Sequence, residues 1–226
     1  MKTAVVCVYK SGGDYDEHAL EYVNRLYYSV SENMTTPYDF HVITDMPGLF
    51  YGIIEYGIIP MISDLQKWHS KFEIFRQDLW ESYDRVLYLD IDSAAVGNID
   101  DLATADVDFA LLSDIYHRDR AASGVILYTP HPKYQALFDR MDAHPPKPRM
   151  WDIYPMLDML ADLGVEPERL DRFKIYSWKL DLFQAKTECL KPMPADSQII
   201  VWHGRPRPHD VNWLLPDKQV KTTQNE

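Results

Sequence analysis

Two carboxylates, Asp90 and Asp92, follow directly on the apolar run 86–89 in the segment "RVLYLDIDS". In an extended strand, residues i and i+2 point to the same side, so we expect both side chains to project together, with Cα atoms roughly 6.5 Å apart. Like charges this close are unfavourable unless donors or a cation lie between them. Hard oxygen ligands suit Mg²⁺ or Mn²⁺, and a metal held by two carboxylates keeps positions free for substrate phosphates. The pair is a candidate divalent-metal site; the alternative is an ordinary strand end followed by a turn.

A second candidate site is the basic segment "VWHGRPRPH" near the end of the chain. Pro206 and Pro208, which each follow an arginine, restrict its backbone. Arg205 and Arg207 can form bidentate bonds to phosphate oxygens. The whole chain carries a formal net charge of -12. This acidity opposes non-specific attraction to nucleic acid or anionic lipid, so we expect no nucleic-acid partner. A local basic loop in such a chain indicates an anion site, and the alternative is a solvated surface loop.

Single residues at predicted strand ends are further candidates. Tyr9 ends the first apolar run and could stack on a nucleobase. Asp45 ends the second predicted strand, where it could face a nucleotide or cap the following turn. Ser123 and Gly124 open a later strand, and a glycine there lets a ligand approach the backbone closely.

The elements that must position these residues alternate between strands and helices. β-Branched and apolar runs predict strands, and apolar residues at i, i+3, i+4 spacing predict helices. The predicted strands are 3–9, 38–45, 86–91, 106–114, 123–130 and 197–202, and the predicted helices are 16–30, 65–80, 131–144 and 153–164. This order indicates an α/β fold with a mostly parallel, twisted sheet flanked by helices. Such sheets bind ligands at the carboxyl ends of their strands, where Asp90 and Asp92 lie.

Length and composition fit a single globular domain. The chain has 226 residues, 46% of them hydrophobic, with no visible repeat, and we expect one domain over residues 1–213 followed by a polar tail, 214–226. The first apolar run, 4–8, is too short for a signal-peptide core, and no stretch approaches the ~18 apolar residues of a membrane span. Two cysteines suggest neither a zinc cluster nor a disulfide framework. We therefore expect a cytoplasmic protein without a transmembrane segment.

The segment "RVLYLDIDSAAVGNIDDL" resembles the signature of the family 8 glycosyltransferases. These enzymes have the GT-A (nucleotide-diphospho-sugar transferase) fold, and in them an apolar strand ends in a D-x-D pair followed by a hydrophobic turn, a Gly and an acidic-Leu segment. Other segments resemble the family in the same order: "AVVCVY", "WHSKFEIF", "SGVILY" and "VWHGRPRPH". The resemblance covers roughly residues 3 to 209, and its specificity lies in the order of several modest motifs.

The resemblance implies a role for the metal ligands and the basic residues. Asp90 and Asp92 would hold Mn²⁺ or Mg²⁺ together with a C-terminal histidine. The family's histidine lies three residues before the Gly, where this chain has Val201, so His203 would serve from a shifted register. A histidine that closes a strand with backbone bonds is the equal alternative. Gly204, Arg205 and Arg207 would bind the diphosphate, with Arg207 standing where a Lys is usual.

The resemblance also implies residues near the reacting sugar. Lys71 would reach the donor's phosphate or sugar, although a lone Lys beside an apolar helix face is more often a surface residue whose stem covers the core. Ser123 and Gly124 match the family's N-S-G strand, whose Asn is Ala122 here. Asp152 stands where the family often has an Asp-Gln pair, with Ile153 in place of the Gln. It could bind a sugar hydroxyl or act as a base, and a helix N-cap explains it as well.

The sequence therefore predicts a metal-dependent glycosyltransferase of the hexosyltransferase type. It would move a sugar from a nucleotide-sugar, most often a UDP-sugar in this family, to a hydroxyl of a glycan, lipid or protein, with retention of configuration. One alternative is a D-x-D phosphohydrolase with Asp90 as nucleophile and Asp92 as acid, although that motif wants Thr or Val where this chain has Ala94. The other is a non-catalytic nucleotide- or sugar-binding domain. The oligomeric state is not indicated.

Overall fold

A computed structural model describes residues 1–53, 55–146, 150–184 and 189–211. Its strands in chain order are β1 (Thr3–Tyr9), β2 (Tyr38–Thr44), β3 (Gly57–Pro60), β4 (Arg85–Leu89), β5 (Ser93–Ala95), β6 (Phe109–Ser113), β7 (Ala121–Tyr128), β8 (Glu168–Arg169), β9 (Ile175–Ser177), β10 (Phe183–Gln184), β11 (Cys189–Leu190) and β12 (Ile199–Val201). Its α-helices are α1 (Ala19–Asn33), α2 (Asp100–Ala103), α3 (Gln135–Ala143) and α4 (Ile153–Asp162). The predicted tail, 214–226, lies outside the described residues.

The central sheet has seven strands in the order β3-β2-β1-β4-β7-β6-β8. The β1–β2, β1–β4, β2–β3 and β6–β8 pairs are parallel, whereas β7 runs antiparallel to both β4 and β6. The prediction of an α/β fold with a mostly parallel sheet flanked by helices is confirmed. A second sheet consists of three short strands in the order β5-β12-β9, and β5 follows β4 in the chain.

Alternating side chains of β1 divide the core between the two faces of the central sheet. Val5, Cys7 and Tyr9 pack on the face that α1 covers. Ala4, Val6 and Val8 pack on the other face with α3 and α4. This alternation follows from the two-residue period of a strand. Both faces are covered, as expected for a sheet with parallel neighbours at its centre.

The predicted helix 65–80 is wrong in type. The segment forms a 3₁₀-helix, Lys67–Phe75, followed by a second short one, Gln77–Leu79. Every residue from His69 to Phe75 is buried, so the segment has no solvent-facing side. Glu73 is fully buried and accepts bonds from the backbone N–H groups of Ile62 and Ser63. The local backbone therefore follows its surroundings rather than the amphipathic α-helical pattern that the apolar spacing suggested.

Candidate functional site

The candidate residues gather along one edge of the central sheet. β1, β2 and β4 are parallel, so Tyr9, Asp45 and Asp90 all lie at or just beyond carboxyl ends on that edge. β7 is antiparallel to β4, which brings its amino-terminal part, Ser123 and Gly124, to the same edge. The backbone N–H of Asp90 donates to the carbonyl of Gly124 at 3.0 Å. This is the edge at which open α/β sheets bind ligands.

The acidic pair lies in a turn and not in an extended strand. β4 ends at Leu89, earlier than the predicted Ile91, and the N–H of Ser93 donates to the carbonyl of Asp90 at 2.9 Å. The turn reverses the chain into β5. The expectation that both carboxylates project side by side from one strand face is therefore corrected, and each carboxylate meets a different cation.

Asp90 is held by Tyr88 and Lys71. The Tyr88 hydroxyl donates to Asp90 Oδ1, and Lys71 Nζ lies 3.1 Å from the same oxygen. The Asp90 side chain keeps 34% of its surface exposed, so the carboxylate borders on solvent. Partial burial raises the pKa of Asp90 to about 6, against the attraction of Lys71 and with the repulsion of Asp92. Burial, rather than the repulsion of Asp92, is thus the main reason why the pKa of Asp90 is raised.

Lys71 joins Asp90 to a second buried carboxylate, Asp152. Its ammonium is 3.0 Å from Asp152 Oδ2 and donates to the carbonyl and hydroxyl of Ser123, both at 2.9 Å. The Ser123 hydroxyl donates in turn to Asp152. Burial lowers the pKa of Lys71, but the attraction of Asp152 and Asp90 outweighs it, so the net shift is upward. The prediction that Lys71 is directed to the site and not to the surface fits this geometry.

Asp92 is buried and held from the opposite side. Its Oδ2 accepts from the Tyr15 hydroxyl at 2.6 Å and from Arg207 Nη1 at 2.9 Å. Burial raises the pKa of Asp92, while Tyr15, Arg207 and Arg25 act to lower it. Arg25 is itself buried, with its guanidinium 4.9 Å from the centre of the Tyr22 ring. Two cations are therefore near Asp92, one of them from the predicted basic segment.

The small sheet positions that basic segment. Val201 of β12 pairs with Ser93 of β5, so the chain after β12 runs past the Asp90–Ser93 turn. Gly204 has a φ of 68°, in the left-handed region that glycine adopts without strain. Beyond it the Tyr22 hydroxyl and His209 Nδ1 are 2.7 Å apart, which ties the segment to α1. The fold thus brings Arg207 to Asp92 across 115 residues of sequence.

Arg205 and Arg207 differ in their surroundings. Arg205 is 68% exposed in its side chain and lies 3.7 Å from both Asp14 and Asp210. Arg207 stacks over the Tyr15 ring at 4.7 Å, and its Nε has no hydrogen-bond partner within the described part of the chain. An arginine with an unused N–H beside a buried carboxylate can bind an anionic ligand and keep its ion pair.

Tyr9 and Asp45 lie at the same edge in structural roles. The Tyr9 ring is only 3% exposed, packs edge-on against Phe50 and donates its hydroxyl to Asp16, so it presents no face for stacking in this conformation. Asp45 accepts from the N–H and hydroxyl of Ser11 at 2.9 and 2.6 Å. These bonds and that of Lys10 outweigh burial and lower the pKa of Asp45. Both residues shape the loop after β1, and their nucleotide contacts stay predictions.

His203 contacts Ser177 and Tyr116, and no described contact joins it to Asp90 or Asp92. Its Nε2 lies 3.1 Å from the Ser177 hydroxyl, and its ring packs edge-on against Tyr116. Burial lowers the pKa of His203. Within residues 1–53, 55–146, 150–184 and 189–211, no three His, Cys, Asp or Glu side chains form a group that could hold a metal ion. A third ligand at His203 therefore stays a prediction.

The two carboxylates still fit a divalent cation that is completed by a ligand. Asp90 Oδ2 and Asp92 Oδ1 accept no hydrogen bond from any described residue, whereas the other oxygen of each is engaged. A Cβ built on Gly124 would lie 3.3 Å from Asp90 Oδ2, so glycine keeps the space beside that oxygen open. Mg²⁺ commonly binds through one or two carboxylates plus substrate phosphates. The donor set matches that description with two protein ligands.

Two tyrosines of the site were missed by the sequence analysis. Tyr88 could have been found from the sequence, because it precedes Asp90 by two residues within the predicted strand 86–91, where alternate side chains share a side. Tyr15 carried none, since it lies in the loop that follows Gly12 and Gly13 and meets Asp92 only through the fold. Local patterns can identify strand neighbours but not contacts between distant segments.

Solved structures provide the comparison for this architecture. Two structures of the glycosyltransferase GlyE from Streptococcus pneumoniae TIGR4, one of them the apo form, match with TM-scores of 0.68 and 0.67. Each is 16% identical and covers 95% or 96% of this chain, whereas this chain spans only 61% of theirs. No protein-family model matches the sequence, and no curated protein is significantly similar to it. At this identity the likeness shows the fold alone: the chain has a glycosyltransferase fold.

The helices give no indication of a membrane span. Among the residues that the structure describes, none forms a helix with the length and apolarity needed to cross a bilayer. The longest, α1, has 15 residues and one buried face.

Proposed function

We propose that the protein is a glycosyltransferase that moves a sugar from a nucleotide-sugar to an acceptor hydroxyl with the help of a divalent metal. The observation that carries this proposal is the convergence of Lys71, Asp90, Asp92, Asp152 and Arg207, from distant parts of the chain, on the ligand-binding edge of a glycosyltransferase fold. A cluster of charged side chains from distant segments, most of them buried, is typical of functional sites. The family 8 signature and the D-x-D motif remain part of this proposal.

Asp90 and Asp92 are the proposed metal ligands, through the two oxygens that no described donor occupies. A bound Mn²⁺ or Mg²⁺ would neutralise the charge that develops on the departing nucleoside diphosphate. Arg207 and Arg205 are proposed to bind phosphate oxygens through their guanidinium groups, of which that of Arg205 is the more exposed. Tyr9, Asp45, Ser123, Gly124 and Gly204 are the proposed donor-site neighbours, and a UDP-sugar is the proposed donor.

Lys71 and Asp152 are the proposed residues at the reacting sugar. Lys71 is fixed by four oxygen contacts, so its charge is preorganised and needs no reorientation during transfer. Asp152 shares that ammonium and could accept a hydrogen bond from the acceptor hydroxyl. Transfer with retention of configuration is proposed from the resemblance alone, since no described side chain is identified as a nucleophile.

Metal-linked nucleotide binding tests the proposal. Thermal unfolding would be followed with UDP and with UDP-, GDP- and ADP-sugars, each with and without Mn²⁺, beside chromatographic detection of slow donor hydrolysis. We expect one nucleotide to raise the melting temperature only with the metal, and Asp92→Asn to abolish that rise. Asp142→Asn, an exposed aspartate on α3, is the matched control and should behave as wild type.

Three results would count against transfer. Absence of any metal-linked nucleotide binding would remove the donor site. Hydrolysis of phosphomonoesters that is lost in Asp90→Asn would favour the phosphohydrolase alternative. Nucleotide binding without hydrolysis or transfer to any acceptor would favour a binding domain.

A further inference from the structure

A pair of stacked tryptophans, of which Trp151 is exposed and Trp68 half-buried, lies beside the candidate site. The rings of Trp68 and Trp151 have centroids 5.3 Å apart and planes inclined by 21°. Trp151 is 61% exposed, and its neighbours Met150 and Tyr154 are exposed as well. Because one face of Trp151 lies on Trp68, this exposure comes from the opposite face and the ring edges. A large aromatic face held open to solvent usually marks a binding surface.

The exposed ring is held in a defined position. Trp68 Nε1 donates to the carbonyl of Met150 at 2.7 Å, which fixes the chain next to Trp151 as well as the ring beneath it. The His69 ring packs edge-on against Trp68 from the buried side, at 6.1 Å. A ring that is already ordered loses little conformational freedom when a ligand lies on it.

The same two chain segments make the ring pair and the ion pair of the site. Trp68 lies three residues before Lys71, and Trp151 directly precedes Asp152, so the Cα atoms of Trp151 and Asp152 are about 3.8 Å apart. Lys71 and Asp152 are 3.0 Å apart, and both are buried. A ligand on the open face of Trp151 would therefore lie over the chain segments that carry the residues assigned to the reacting sugar.

The chemistry of this surface fits a sugar ring better than an alkyl chain. A pyranose has one face of C–H groups, which pack on the electron-rich face of an indole, and a rim of hydroxyls that need polar partners. The platform offers a flat aromatic face, and the buried Lys71–Asp152–Ser123 hydrogen-bond network includes residues of the chain segments that carry it. A lipid surface suits it less, because the formal net charge of -12 opposes the approach to anionic lipid.

We propose that Trp151, supported by Trp68, is the stacking platform for a pyranose of the acceptor, which makes the acceptor a glycan. The assignment rests on the proposed glycosyl transfer and adds the class of the second substrate. Trp151 is a binding residue in this proposal and takes no part in bond making.

Direct sugar binding is the first test. Lactose, maltose, cellobiose and N,N′-diacetylchitobiose would be screened at millimolar concentration by saturation-transfer difference NMR on wild type, Trp151→Leu and Trp151→Tyr. We expect transfer to the ring C–H protons of at least one disaccharide, about tenfold weaker affinity in Trp151→Leu, and affinity within a few-fold of wild type in Trp151→Tyr. Leucine preserves an apolar side chain but removes the ring, so this comparison isolates stacking.

Tyr51→Leu is the matched control, because Tyr51 is an aromatic side chain with 76% exposure and no ring contact among those described. It should bind the disaccharide as wild type does. Circular dichroism on each variant checks the fold. In transfer assays, Trp151→Leu should raise the acceptor KM about tenfold.

The failures are distinguishable. The platform is refuted if no disaccharide contacts the wild type, if Trp151→Leu binds sugar normally, or if the Leu and Tyr variants lose it equally. Sedimentation with phosphatidylcholine vesicles that is lost in Trp151→Leu, without sugar binding, would overturn the glycan in favour of a lipid acceptor. Sugar binding at Trp151 without any nucleotide-linked activity would instead refute the transfer and with it the acceptor role.

Discussion

Lys71 carries the charge balance at the end of β4. It is 5% exposed and is the cation that Asp90 and Asp152 share. Two carboxylates in such surroundings are tolerated because the ammonium and the Ser123 hydroxyl satisfy them. The residue therefore contributes to folding as well as to any chemistry, and the two contributions can be separated by measurement.

Lys71→Met should lower the free energy of unfolding by about 3–5 kcal/mol, the usual cost of leaving a buried charge without its partner. Urea denaturation followed by fluorescence gives the value. Lys174→Met, an exposed lysine 3.8 Å from Asp196, should change stability by no more than about 0.5 kcal/mol. A decrease in the free energy of unfolding for Lys71→Met that is as small as that for Lys174→Met would show that the ion pairs at the site contribute little.

Gly124→Ala should weaken ligand binding without unfolding the protein. Its added Cβ would lie 3.3 Å from Asp90 Oδ2, so the carboxylate must move by a few tenths of an ångström. We expect about tenfold weaker nucleotide affinity in the presence of Mn²⁺, measured by calorimetry, with the melting temperature of the free protein nearly unchanged. Gly48→Ala meets nothing within 4 Å and is the control. Unaltered affinity would show that this oxygen does not face the ligand.

At the scale of elements, Asp100 ties α2 to the chain that follows α1. Its carboxylate accepts from the N–H groups of Thr35 and Thr36 at 2.8 and 2.9 Å and from Asn98 at 3.0 Å. Desolvation raises the pKa of Asp100, but these hydrogen bonds outweigh it and hold the pKa well below its usual range. The contact orders the connection that leads into β2.

This contact predicts a pH-dependent stability. Because the folded pKa lies below the unfolded one, the stabilisation is complete above about pH 5 and is lost as the pH falls through 4 and below. Asp100→Asn should unfold with about 1 kcal/mol less free energy at pH 7, a value reduced for solvent screening. The difference between the two proteins should shrink as the pH falls from 7 to 2, because the unfolded carboxyl binds its proton first and the folded one only at still lower pH. Denaturation curves at both pH values decide it, and a constant difference would contradict the prediction.

Strands with long β-branched runs were predictable from the sequence. β1, β2, β6 and β12 lie within the predicted segments, as do most of β7, most of α1 and the whole of α3 and α4. Apart from β12, strands of two to four residues, such as β3 and β9, were not predicted because they are too short to show a period. The same limit explains the 3₁₀ segment Lys67–Phe75, where burial on several sides overrides the helical spacing.

For the site, the sequence was sufficient where chemistry is local. The acidic pair and the basic segment could be named from their residue types, and the family resemblance implied that they meet. Which cation meets which carboxylate depended on the turn at Asp90–Ser93 and on the path after β12. Those are tertiary features, and no spacing in the sequence encodes them.

At the scale of the whole molecule, the core is divided among separate clusters. Beyond the two faces of the central sheet, Trp178, Leu182, Ile200 and Trp202 form a third cluster under the small sheet. Trp178 stacks on Phe183 with centroids 4.8 Å apart. This cluster supports the strands that carry the basic segment towards Asp92, so its stability bears on the site.

Trp178→Leu should loosen the small sheet selectively. We expect faster amide hydrogen exchange in β9 and β12, with β1 and β4 still protected, because local units open below the global unfolding energy. Trp80→Leu removes an equally buried ring from the central core and should lower protection throughout the main sheet. Equal loss across both sheets in Trp178→Leu would show that the molecule opens as one unit.

The path of the chain also has a consequence for synthesis on the ribosome. Asp92 meets Arg207 across 115 residues, and Tyr22 meets His209 across 187. A nascent chain can therefore complete β1, β4 and β7 while the Arg207 guanidinium that Asp92 will accept is still untranslated. During that interval Tyr15 and Arg25, which precede Asp92 in the chain, are the described partners that it can already meet, and water takes the place of Arg207. The ion pair between Asp92 and Arg207 can therefore form only late in the synthesis of the chain.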